Sequence, residues 1–210
     1  MAARQSQPLY SIEEYLAIER ASEDRHEYLD GCVFAMAGES GEHADISANL
    51  VVIVGSQLRN TDCRTRTKDT KVRSGPAPRG LRPMKGLFSY PDLVVICGEP
   101  IYHDEHRDVI LNPKVIIEVL SESTEAFDRG EKFQRYQVWN PRLSDYLLVS
   151  QARPLVEHYA RQSASGWSYQ FFAGVRQSLV IDPIRCELRL ADIYERVAFA
   201  TDEVEDQDGE

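Results

Sequence analysis

Apolar residues recur along this chain with two periods, and the changes between them mark out its elements. Ser11 opens a predicted helix, with Glu14 placed for a capping box and Ile12, Tyr15, Leu16 and Ile18 supplying the apolar stripe. Arg25 to Met36 reads as two short strands about Asp30-Gly31, a dipeptide suited to the positive φ of a tight hairpin. From about Glu42 to Arg59 the period becomes helical, through Ile46, Leu50, Ile53, Val54 and Leu58. Cys63 to Arg73 alternates as a strand, and the Pro- and Gly-rich stretch from Ser74 to Lys85 reads as a loop.

Two apolar runs follow. Asp92 to Cys97 and Lys114 to Leu120 have the length and β-branching of strands buried on both faces, with a polar, hairpin-like segment between them. Asp128 is expected to cap a helix with Glu131 at its third position, and Asn140-Pro141 stops that helix after Trp139. Tyr146 to Val149 predicts another buried strand. Val156 to Tyr159 and Tyr169 to Phe172 add a hairpin or meander, and Leu188 to Tyr194 closes the fold. The sum is an α/β (α+β) single domain over residues 10–195, with disorder expected at 1–9 and in the acidic tail, 196–210.

Composition narrows the class. Of 210 residues, 42% are apolar and 28% charged, enough to build a soluble core. The net charge of −10 argues at first against a polyanionic partner, but six of those acids lie in the last nine residues. Between Arg64 and Lys85 there are eight bases and one acid, so charge does not exclude nucleic acid. The longest apolar run, Leu50 to Val54, falls far short of the ~20 residues of a membrane span. With no signal-peptide pattern at Met1 to Pro8, a cytoplasmic protein is the expectation. Cys32, Cys63, Cys97 and Cys186 form no C-x-x-C pair and are expected to be reduced thiols.

The candidate chemistry lies where charge meets predicted burial. Glu118 sits inside Val115-Ile116-Ile117-Glu118-Val119-Leu120, where an unpaired carboxylate is costly and must be matched by a cation, a metal or a proton. An ion pair, or a strand end reaching solvent, would serve equally. Asp92, after Pro91 at the start of its strand, converges with Glu118 if the two strands are neighbours, and two carboxylates suit a hard cation such as Mg²⁺. Asp92 as a turn-capping residue is the plainer alternative. Lys132 either pairs with Asp128 at i, i+4 as helix support or faces an anion beside the carboxylates. His103-Asp104-Glu105-His106 is a weak metal motif in a polar loop.

Pro91-Asp92, Glu118-Val119-Leu120-Ser121, then Asp128, Gly130, Lys132 and Tyr136, together with Glu27-Tyr28-Leu29-Asp30-Gly31 and His43, resemble the PD-(D/E)xK nuclease superfamily. More closely, they resemble its bacterial restriction-endonuclease family of Uma-two type, formerly a domain of unknown function. The resemblance implies a restriction-endonuclease-like core, a central mixed sheet flanked by helices, and Mg²⁺- or Mn²⁺-dependent hydrolysis of DNA. Carried over, Asp92 and Glu118 hold the metal, Lys132 is the catalytic lysine and Glu27 an additional acid, with His43, Asp128 and Tyr136 around them. The superfamily's usual lysine position is here Leu120, a departure met by a lysine on the following helix. The basic stretch, with Arg64, Arg66, Lys68, Lys71 and Arg73, would follow the nucleic-acid backbone, or else is a solvated loop. A homodimer is expected, so that two sites address two strands. The competing readings are an inactive module, binding nucleic acid or protein, that keeps the fold, and a purely structural homodimer.

Overall fold

The computed structural model describes residues 8–36, 38–164 and 166–199. The expected disorder at the termini therefore falls largely outside the described residues. Among the described residues two large sheets, a two-stranded one and five helices carry the fold. The first helix, α1 (Ile12–Ala21), begins with the capping box anticipated from Ser11 and Glu14. It leads into the hairpin β1 (His26–Leu29) and β2 (Cys32–Ala35), turned by Asp30 and Gly31, both at positive φ. The long helix α2 (Gly41–Gln57) follows. The predicted single strand from Cys63 to Arg73 is two, β3 (Cys63–Thr67) and β4 (Lys71–Ser74), and they join different sheets. After the loop come β5 (Leu87–Ser89), β6 (Leu93–Cys97), β7 (Val109–Ile110) and β8 (Val115–Leu120).

The connection after β8 is a short helix α3 (Glu125–Phe127), a kinked segment (Asp128–Lys132) in which Gly130 leaves helical geometry (φ −102°, ψ −106°), and α4 (Phe133–Trp139). It returns the chain to β9 (Asp145–Ser150), parallel to β8. The strands β10 (Leu155–Arg161) and β11 (Trp167–Ala173) extend the same sheet as a meander. A hairpin of β12 (Ser178–Ile181) and β13 (Cys186–Arg189) and the helix α5 (Leu190–Ile193) close the structure.

The larger sheet runs β11-β10-β9-β8-β6-β3 and the smaller β2-β1-β5-β4-β7. Alternation along β8 divides its neighbourhood in two. Val115, Ile117 and Val119 pack with Ile46, Leu50 and Val54 of α2, while Ile116 and Leu120 pack with Phe133, Tyr136 and Val72 on the opposite face. Glu118 has the parity of that second face, so it points into the layer between the two sheets. In the smaller sheet Tyr28 and Phe88 cluster with Tyr15 of α1. Glu27 and Ser89, of opposite parity, therefore turn toward the same inter-sheet layer.

Two expectations need correction. Asp128 is not an N-cap: the helical path begins three residues earlier and Asp128 has φ −64° and ψ −41°. Cys63 and Cys97 are not reduced thiols. They are register partners across β3 and β6, and a disulfide joins them, which a separation of 34 residues gave no reason to expect. Cys32 and Cys186 are free.

Candidate active site

Five separate elements bring charged groups together around Glu118 and Val119 of β8. Glu118 comes from β8, Glu27 from β1 and Asp92 from the bend between β5 and β6. Lys132 ends the kinked segment before α4, and His43 lies in the first turn of α2. The chain thus gathers in space acids that are up to 101 residues apart in sequence (Glu27 and Asp128).

Lys132 is the hub. Its ammonium donates to Asp128 Oδ1 at 2.9 Å and lies 3.1 Å from Glu118 Oε1 and 3.5 Å from Glu27 Oε1. Both Lys132 and Glu118 are buried. The contact with Glu118 is close enough for an ion pair, yet its geometry makes no hydrogen bond, and Glu118 Oε1 is a buried oxygen with no hydrogen-bond partner. Burial pushes the Glu118 carboxyl well above its ordinary range; Lys132 opposes this, and Asp128, Asp92 and Glu27 reinforce it. Burial works against charge on Lys132 as well, but the carboxylates of Glu118, Glu27 and Asp128 outweigh it and hold the ammonium protonated. One buried cation serves three acids.

A kink at Gly130, where the backbone leaves helical geometry, lies between Asp128 and Lys132. Because Asp128 does not cap a helix, its side chain is free to accept from Lys132 instead of from backbone amides, and its carbonyl accepts from Tyr146 OH at 3.0 Å. Tyr136 lines the same layer, fully buried, with its hydroxyl 2.6 Å from Ser89 Oγ. Burial first, then the nearby Glu118 charge, raises its pKa well above that of a free phenol.

Asp92 is held by the main chain of β8. Its Oδ2 accepts from the Val119 amide at 2.7 Å and lies 3.4 Å from His43 Nε2. The same His43 nitrogen is 3.1 Å from the Val119 carbonyl, and Nδ1 is 3.1 Å from Glu39 Oε2. Both ring nitrogens face acceptors. Burial disfavours the charged ring, but the Asp92 and Glu39 carboxylates prevail and raise its pKa. Glu39 also pairs with Lys68. Sequence reasoning missed Glu39, Ser89 and Tyr90, whose amide donates to Glu27 Oε1 at 3.3 Å. Nothing local in the sequence marks them, because each acts through a contact made across the fold.

The basic stretch divides. Arg64 and Arg66 are exposed on β3, and Lys68 sits at the rim against Glu39. Lys71 and Arg73 are buried on the α1 face of the smaller sheet, turned away from the inter-sheet layer. Lys71 pairs with Asp108 at 3.1 Å and Arg73 donates to the Pro76 carbonyl, so neither is presented to a phosphate. Asp69 pairs with Arg25. In the weak metal motif, Asp104 is taken up by Arg20 at 2.7 Å and His103 packs edge-on against Phe88.

The donor set fits a hard divalent cation. Glu118 brings a buried oxygen without a hydrogen bond, Asp92 is pinned through one oxygen, and acids outnumber cations around them. Among the described residues no three His, Cys, Asp or Glu ligand atoms of this cluster lie mutually within 4.8 Å, so a cation here would need carbonyl or water oxygens in its shell.

Comparison with known proteins follows the same outline. Residues 12–191 match the Uma2 family, described as "Putative restriction endonuclease". The Synechocystis sp. protein slr1290 is 35% identical over 195 residues, covering 91% of this chain and 95% of that protein. A second protein of the same organism, sll1609, is 29% identical over 154 residues, covering 73% of this chain and 82% of that protein. Among solved structures, a nuclease-like protein of the DUF820 family from Anabaena variabilis, described as "a putative nuclease", superposes with a TM-score of 0.67 at 16% identity. It covers 88% of this chain and 97% of its own. No helix among the described residues is long and apolar enough to cross a membrane.

Proposed function

Since the chain belongs to the Uma2 restriction-endonuclease family and has its fold, we propose that it is a metal-dependent endonuclease that hydrolyses phosphodiester bonds in DNA. The observation that carries this reading is Glu118: a buried carboxylate, without a hydrogen bond at Oε1, sharing one ammonium with Glu27 and Asp128. A buried ion pair built only for stability would satisfy its lone pairs. Asp92 and Glu118 would hold Mg²⁺ or Mn²⁺. Such a cation, when bound, supplies Lewis acidity toward a phosphoryl oxygen and lowers the pKa of water beside it.

The chain's own residues do the rest. The Val119 amide and His43 fix Asp92, so its remaining oxygen is aimed without a rotamer search. Lys132, kept charged by its three acids, orients the attacking water and stabilises negative charge that develops on the phosphorane. Glu27, held by the Tyr90 amide, keeps that ammonium in place. Arg64 and Arg66 on β3 are positioned to meet backbone phosphates.

The test is cleavage of supercoiled plasmid by pure protein with Mg²⁺ or Mn²⁺. Nicked or linear product is expected from the wild type and not from Asp92→Ala/Glu118→Ala. Cleavage that survives in the double variant, or that neither metal elicits from the wild type, overturns the reading. One observation favours the alternative of a non-cleaving module: Leu120 stands at the superfamily's usual lysine position, buried against Val72 and Phe133. Calorimetry showing no uptake of either metal would decide for that alternative.

A further inference from the structure

A cavity of about 380 Å³ opens at the N-terminal end of β8, lined by Cys97, Asn112, Lys114, Arg142, Ser144 and Arg161, with Pro141 and Leu143 beside them. Three of these residues are cationic and none is acidic. Among the described residues neither Lys114, Arg142 nor Arg161 forms an ion pair, whereas Lys132, Arg135 and Arg20 elsewhere are each paired at least twice. The acid nearest in sequence, Asp145, has the parity of the α2 face of the sheet, where it pairs with His158 at 2.8 Å.

Arg161 makes this more than a loose surface patch. Its guanidinium donates to four carbonyl oxygens, those of Leu143 at 2.7 Å, Ala164 at 3.1 Å, and Gln137 and Asn140 at 3.2 Å each. It also stacks on Trp167, 4.4 Å from the ring centroid. The charge is thus immobilised and solvated by dipoles, with no carboxylate to neutralise it. Burial lowers its pKa, as it does for a cation that lacks a counter-charge. Lys114, half-buried, and Arg142, exposed, add two further charges, and the Asn112 side chain is already spent on Ile101 and Glu99 main chain. Four of the five Arg161 N–H donors are committed to those carbonyls, so Arg161 contributes fixed charge, while Lys114 and Arg142 supply the free donors of a concavity suited to a multivalent anion.

We propose that this cavity binds a phosphate-bearing anion, at a site separate from the carboxylate cluster. The proposal is independent of whether the carboxylate cluster cleaves DNA. Two sources share that chemistry, a free small phosphate compound and the backbone of a nucleic acid.

The experiment compares the full chain with Lys114→Gln/Arg142→Gln, leaving Arg161 intact because its hydrogen bonds are structural. Far-UV circular dichroism and thermal midpoint without ligand confirm that the variant folds; Arg142→Glu, at an exposed position, is the second variant if it does not. Inorganic pyrophosphate is titrated calorimetrically at low ionic strength, and a 20-base-pair duplex is titrated by fluorescence anisotropy over a salt series. Pyrophosphate binding at one site per chain, weakened roughly tenfold or more in the variant, identifies a free anion as the ligand. Duplex affinity that falls in the variant with a shallower salt slope, without pyrophosphate binding, identifies a nucleic-acid backbone. If a folded variant binds both probes as the wild type does, or the wild type binds neither, the proposal is wrong.

Discussion

At the scale of single residues, the balance around Lys132 sets opposing demands of stability and chemistry. Removing one partner of a buried charged group leaves the others uncompensated, at a cost of about 3–5 kcal/mol. Lys132→Met, which strands Glu118 and Asp128 at once, is expected to cost at least the lower end of that range in urea unfolding. Glu118→Gln should behave differently. It removes an acid from a cluster that has too many, so it is expected to leave the metal-free protein as stable as the wild type or more so. The same variant is expected to lose any stabilisation that Mg²⁺ or Mn²⁺ gives the wild type, since it removes a proposed ligand. Thermal unfolding with and without metal checks both halves. A large loss of stability in metal-free Glu118→Gln would mean that the carboxylate is structural.

At the scale of elements, the hairpin of β1 and β2 and the helix α4 are locked by one acid. Asp30 accepts from Arg135 through both oxygens, at 3.1 and 2.8 Å, and from the Gly86 amide at 2.9 Å. Burial alone would raise its pKa, but the hydrogen bonds and charges of Arg135, Gly86 and Lys85 prevail and pull it down to about 2. A carboxyl with a depressed folded-state pKa stabilises the fold above its unfolded value, 3.8 here, and loses that contribution as pH falls toward 2. The wild type is therefore expected to lose more stability than Asp30→Asn between pH 5 and pH 2. Denaturant midpoints across that range measure the difference. Parallel curves for the two proteins would show that the pairing contributes nothing.

The connection from β8 to β9 makes the same point about local sequence and its context. Asp128 followed by Glu131 has the pattern of a capping box, and in isolation that is the better use of the carboxylate. The helical path starts earlier, at Glu125, so Asp128 is drawn inside it and its carboxylate goes to Lys132. Tertiary demand for a partner to a buried ammonium exceeded the benefit of a cap, worth about 1 kcal/mol.

At the scale of the whole molecule, two features depend on distant parts meeting. One is the Cys63–Cys97 disulfide, which ties the edge strand β3 to β6. Thiol titration of denatured, unreduced protein is expected to find two free thiols, Cys32 and Cys186, and four after reduction. Four thiols before reduction would remove this link from the fold. The other is the distribution of charge. The global excess of acids coexists with a lysine-centred acidic cluster on one side of α4 and an acid-free basic cavity past its C-terminal end.

Period and punctuation were enough to read most of the elements: the capping box of α1, the Asp30-Gly31 hairpin, α2, and the buried strands β6, β8 and β9. These depend on contacts within a few residues or on hydrophobic alternation, both of which are written locally. Glu118, too, stands out in sequence, because a carboxylate inside a β-branched run is costly wherever the strand lies. The resemblance placed Asp92, Lys132, Glu27 and His43 beside it. Only the tertiary structure decided which sheet β4 joins, that Lys71 and Arg73 face α1, that two cysteines bond across a strand pair, and that Lys132 reaches its acids from just after a kink at Gly130. Each of these turns on which element packs against which. That is a matter of burial and charge pairing between residues far apart in the chain, and no local pattern encodes it.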